Sequence, residues 1–182
     1  MRKILFILMA LFTAVWCPAQ DKLSTRNGKV SFFSKATLSN IEAHNNTAVS
    51  VFEKTSGNIE FAVLMKGFEF EKSLMQEHFN DDYVESDKFP KSVFKGNLSN
   101  IKDIDFSKDG TYTATVTGSL TIHGVTKPIT VQAQFVVANG SLQASSEFSI
   151  VLSDYGIKIP SMVSGDISNN IRIKANFKYA LK

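Results

Sequence analysis

Three histidines, His44, His78 and His123, and an acidic run of Asp81, Asp82, Glu85 and Asp87 are the residues whose types could hold a metal ion or move a proton. Zinc sites draw ligands from i, i+4 positions on a helix or alternate positions on a strand, and these histidines lie far apart in the chain. The acidic run lacks the alternating oxygen ligands around a glycine that a calcium loop requires. It reads as the solvated flank of a helix, and the histidines as turn or surface residues. Ser153-Asp154-Tyr155 contains two residue types of a hydrolytic triad, but nothing in the sequence orders a base beside them. There is no Gly-rich phosphate loop, nucleophile elbow or catalytic cysteine. Neither a metal nor a cofactor is expected, and no enzymatic activity.

The single cysteine, Cys17, belongs to the N-terminal segment MRKILFILMALFTAVWCPAQ. Two basic residues, an apolar stretch from Ile4 to Trp16 and small residues near Ala19 have the layout of a secretory signal over residues 1–19. The stretch is shorter than the roughly 20 residues of a spanning helix, so an integral membrane protein is not expected. Lipid attachment at Cys17 is disfavoured by Trp16, which stands where lipoprotein signal peptidase takes a small residue. The expected location is periplasmic or secreted. Removing Arg2 and Lys3 leaves 18 basic against 17 acidic residues, a net charge of +1 in place of +3. No basic block interleaved with aromatics appears, and no nucleic-acid partner is expected.

Residues 20–182 are expected to form one domain, built from runs that alternate apolar and polar residues with the period of a half-buried strand. The clearest lie between Thr111 and Gly156 and reverse at His123-Gly124 and Asn139-Gly140. Connections this short join antiparallel neighbours. Asn27-Gly28, Asn45-Asn46, Ser56-Gly57-Asn58 and Asp109-Gly110 read as further reversals, giving eight to nine strands, the count of a closed barrel or a sandwich. Glu71 to Ser86 departs from the pattern: Leu74, Met75, Phe79 and Tyr83 have helical spacing, Ser73 and Gln76 fit a capping box, and Phe89-Pro90 ends the element. Such a helix is expected to cover one open end of the barrel. Alternation turns one aromatic-rich face inward, with Phe61, Val63, Phe94, Tyr112, Val116, Leu120, Phe135, Phe148, Ile150 and Phe177 as wall residues of a ligand cavity. Gly96 and Gly118, with Ala114, Ala133 and Ala144, sit among them, either bending strands or leaving room.

The segments LTIHGVTKPIT (Leu120 to Thr130), FSIVLSDYGI (Phe148 to Ile157) and SDKFPKSVFKG (Ser86 to Gly96), the last preceded by EHFN, closely resemble the signature segments of the YceI-like family. That resemblance implies an all-β, lipocalin-like, eight-stranded antiparallel up-and-down barrel with one inserted α-helix. It also implies an isoprenoid or similar long apolar chain as the partner held inside. Val151 and Leu152 depart from the family pattern, which commonly has a polar residue and an arginine there, so the implied charged contact to a head group does not carry over. Two alternatives stay open: a solid-core barrel serving as a structural or protein-interaction module, and an enzyme dependent on His123 or Asp154. Assembly as a homodimer also stays open.

Overall fold

The computed structural model describes residues 21–37 and 40–181; the signal segment and Cys17 lie outside the described residues. Nine strands run in the order β1 (Lys22–Lys35), β2 (Asn40–Glu53), β3 (Asn58–Leu64), β4 (Glu69–Phe70), β5 (Lys91–Leu98), β6 (Gly110–Ile122), β7 (Val125–Ala138), β8 (Ser141–Val151) and β9 (Asn170–Ala180). Eight of them pair antiparallel as β2-β3-β5-β6-β7-β8-β9-β1, and β1 pairs with β2 to close the ring. The two-residue β4 only adds to the edge of β2 at Ala43 and His44. The result is the lipocalin-like up-and-down barrel, with no free edge in the ring to template aggregation.

The tight reversals follow from backbone chemistry. His123 and Asn139 take φ of 50° and 49°, and Gly124 and Gly140 follow at 74° and 69°. Two successive positive values are what a two-residue hairpin of matching twist demands, and glycine meets that demand without steric cost.

Three other expected reversals are not reversals. Asn27-Gly28 and Asn45-Asn46 lie inside the two 14-residue strands β1 and β2, which pair with each other along their length. Both sites are bulges: Thr25 pairs with Ser50 and Gly28 with Ala48, then Val30 with Asn45. An extra residue flips the inward phase of a strand. In β1 the buried positions move from Leu23 to Gly28 and Val30; in β2 they move from Ala43 and Asn45 to Ala48, Ser50 and Phe52. Asn45, fully buried, makes the second bulge tolerable. Its amide donates to the Leu64 carbonyl at 3.0 Å, and its Oδ1 accepts from the Thr47 N–H at 2.9 Å. Gly28 has negative φ and serves close approach instead, since a Cβ there would sit 2.4 Å from the Phe177 ring. Asp109-Gly110 is the entry to β6, after a single turn of 3-10 helix at Ile101–Asp103.

The helix is shorter than its spacing predicts. Regular helix α1 covers Ser73–His78 and passes into a wider π turn at Phe79–Tyr83. The Ser73–Gln76 capping box does not form: Lys72 is the cap residue, and the Gln76 side chain accepts from the Phe70 N–H at 3.3 Å. Leu74 points outward at 60% exposure, while Met75, Phe79, Tyr83 and Val84 turn toward the barrel. Leu74 sits about 100° round the helix from Met75, away from the side on which Met75, Phe79 and Tyr83 recur every four residues.

At the end remote from α1 the barrel is packed solid. Phe52, Phe135, Leu142 and Tyr179 are at most 1% exposed, and Phe52 holds Phe135 and Tyr179 at ring separations of 5.7 and 6.1 Å. Side chains of this size contribute about 1.5 to 3 kcal/mol each by burial. The Tyr179 hydroxyl shares a 2.7 Å hydrogen bond with Ser50, and burial pushes the phenol up to about 12.

Candidate functional site

The other end is hollow. A cavity of about 410 Å³ lies beneath α1, bounded by the inward residues at the ends of β1, β3, β6, β8 and β9. That is toward the lower end of the roughly 300 to 1,000 Å³ of small-molecule sites. Of the ten expected wall residues, Phe61, Val63, Leu120, Phe148 and Ile150 border it. Phe94, Val116, Phe135 and Phe177 border a separate small void of about 40 Å³ deeper in the barrel, which Phe61 and Phe148 also touch. Tyr112 borders neither; its hydroxyl donates to the Asp105 carbonyl at 3.2 Å at the closed end.

Phe79, on the stripe expected to cover the open end, is joined by three wall residues that were not anticipated, Phe32, Phe68 and Phe70. Phe32, Phe68, Phe70 and Phe79 form a cluster with ring separations of 5.1 to 5.7 Å, including a stacked Phe32–Phe79 pair, and all four line the cavity. The bulge in β1 hides the phase of Phe32, and Phe68 and Phe70 stand in a turn and a two-residue strand too short to alternate. The only local signal was the density of phenylalanines around α1.

Polar atoms are few on this surface. Among the described lining residues are Ser34, Ser92, His78, Tyr83 and Asp166, with no lysine or arginine. Ser34 Oγ accepts from the Ser168 N–H at 2.8 Å and Ser92 Oγ donates to the Met65 sulfur at 3.1 Å, so both hydroxyls have protein partners. Burial raises the Tyr83 phenol above its ordinary value. Leu152 adds apolar surface to the wall. The arrangement suits shape-directed holding of an apolar molecule, driven by burial of about 0.8 kcal/mol per methylene before ordering costs.

His123 is not a solvated turn residue. Its side chain is 12% exposed, Nδ1 lies 3.1 Å from the Tyr155 carbonyl and Nε2 lies 2.8 Å from Glu85 Oε2. Phe89 packs edge-on against the same ring at 4.5 Å. The three signature segments therefore meet at one point, where the β6–β7 hairpin is tied to the segment after α1 and to the turn after β8. Ser153 faces Asn169 rather than His123, and no triad forms there. His44 and His78 are exposed beside Glu42 and Asp82.

This junction makes a pH prediction. The hydrogen bond from His123 holds the Glu85 carboxyl below its ordinary 4.5. A carboxyl lowered on folding contributes stability above its unfolded value that is lost as the pH falls through the folded one. Glu85→Gln is expected to flatten the acid side of a Tm-against-pH curve below about pH 4.5. An unchanged acid limb in the variant would show that the contact contributes nothing.

Solved structures share this fold. A polyisoprenoid binding domain from Saccharophagus degradans, implicated in plant cell wall breakdown, superposes with a TM-score of 0.76 at 12% identity, over 89% of this chain and 99% of that one. BcnA of Burkholderia cenocepacia gives 0.70 at 17% identity, covering 83% and 95%. The YCEI protein of Campylobacter jejuni gives 0.64 at 19%, covering 81% and 89%. In sequence, 103 residues are 34% identical to a UPF0312 protein of Pseudomonas fluorescens, covering 53% of this chain and 50% of that protein. A stretch of 57 residues is 42% identical to a UPF0312 protein of Vibrio campbellii, covering 31% and 26%. The chain thus spans half or less of the length of these curated relatives. The sequence model of the YceI-like domain matches residues 21–179, and on that match the chain belongs to the YceI-like family.

Proposed function

We propose that this protein is an exported lipid-binding or carrier protein that holds an isoprenoid or similar long apolar ligand in the open end of its barrel. The observation that carries this reading is the 410 Å³ cavity under α1, walled by aromatic and aliphatic side chains. The polyisoprenoid binding domain of the same fold supports it. The signal-like residues 1–19 support export, which makes the protein periplasmic or secreted. A binding role also accords with His123, whose two ring nitrogens are engaged by Tyr155 and Glu85. Among the described residues no helix is long and apolar enough to cross a membrane.

The solid-module reading draws on the closed end of the barrel, where Phe52, Phe135 and Tyr179 leave no comparable space. Native mass spectrometry and solvent extraction of protein purified from its own cells decide between the two. A co-purifying apolar molecule is expected. Protein that carries none, and that also fails to bind added prenyl alcohols, would sink the carrier reading.

A further inference from the structure

Resting on the reading that the cavity holds an apolar chain, we infer that Phe61 sets the length of chain the barrel accepts. Phe61, together with Phe148, borders both voids, of about 410 and 40 Å³. Its ring stacks on Phe94 at 5.2 Å and 24°, and lies 5.2 Å from Phe177 at 35°. Together these rings cross the barrel as a floor.

The floor is held from beneath by bare backbone. A Cβ at Gly28 would stand 2.4 Å from the Phe177 ring, and Cβ atoms at Gly96 and Gly118 would stand 2.5 and 2.8 Å from the tip of Phe94. Both rings therefore lie directly on glycines, where any side chain would displace them. Below them, Phe52, Phe135 and Tyr179 fill the barrel. Phe61 is the floor ring whose face borders the main cavity, so a chain entering beneath α1 ends against it.

The volume gives the length. A chain atom needs about the ~30 Å³ share of a liquid water, so the cavity takes about 14 such atoms, close to three prenyl units. A longer chain leaves its remainder outside and gains no further burial.

Geraniol, farnesol and geranylgeraniol, titrated by displacement of N-phenylnaphthylamine, read this directly, with thermal unfolding run in parallel to establish folding. Farnesol is expected to bind about a hundredfold tighter than geraniol, with geranylgeraniol adding no more than about threefold. Phe61→Ala is expected to extend the rise, so that geranylgeraniol gains about tenfold over farnesol. Val63→Phe, two residues nearer the mouth on β3, should shorten it and erase most of the farnesol advantage; this variant decides the matter where Phe61→Ala fails to fold. Affinity that keeps rising to geranylgeraniol in the unaltered protein overturns the inference, as does a Phe61→Ala or Val63→Phe profile matching the parent. Either result leaves the carrier reading standing. Failure of all three alcohols to bind overturns both.

Discussion

A tryptophan in place of Leu120 is expected to weaken capture of an apolar chain by about thirtyfold while the barrel keeps its thermal stability. Leu120 is 3% exposed on β6, pairs across the sheet with Phe94 and borders the main cavity. Overpacking a filled core costs about 1 to 3 kcal/mol because neighbours must move. Here the added ring has an empty volume to enter, so most of that cost is absent. The ring takes the place of roughly two to three methylenes of ligand, each contributing about 0.8 kcal/mol, which amounts to about 2 kcal/mol of lost binding. Fluorescence titration with farnesol beside a Tm measurement checks both halves. A folded variant that binds as tightly as the parent would show that the chain does not occupy this cavity.

Gly118→Ala is expected to cost on the order of 4 kcal/mol or more, which places it among the exceptional single substitutions. Gly118 pairs with Gly96 across β5 and β6. A Cβ at Gly118 would lie 2.3 Å from the Lys95 carbonyl oxygen and 2.6 Å from the Gly96 Cα. Both obstacles are backbone, so no rotamer change relieves them. The two strands would have to part, and each is also bonded on its other edge within a closed ring. With typical stabilities of about 5 to 15 kcal/mol, such a loss consumes a large share of the total. Urea unfolding measures it, and a loss below about 1 kcal/mol would mean that the sheet shears more freely than the ring closure implies.

The clearest sequence signals were those where one residue type answers one backbone demand. His123-Gly124 and Asn139-Gly140 take the positive φ pair of a tight hairpin, and the runs between them are strands in register. Asn27-Gly28 has the same composition as a turn and yet serves a bulge, because β1 pairs with β2 on both sides of it. That choice is made by partners distant in the chain. The reduced helix has a similar cause: α1 gives way to the π turn at Phe79, which stacks on Phe32 of β1.

The site was half legible for the same reason. Phe61 and Phe135 share a residue type and an inward phase, but Phe61 borders the large cavity while Phe135 is fully buried among Phe52 and its neighbours at the closed end. Tyr112, also inward by alternation, is drawn to carbonyls beside β6. Phe32, Phe68, Phe70 and Phe79 form the remaining wall only because α1 folds over the end of β1.

The sequence by itself determined the antiparallel meander of β6 to β8, the apolar faces of β3 and of β5 to β9, and the family to which the chain belongs. Alternation and turn chemistry are local, and they act before any distant contact forms. Only the tertiary structure decided where the barrel is hollow, how deep the hollow runs and which histidine ties the signature segments together. Those depend on the distances between side chains from opposite walls, and ring closure sets such distances for all eight strands at once.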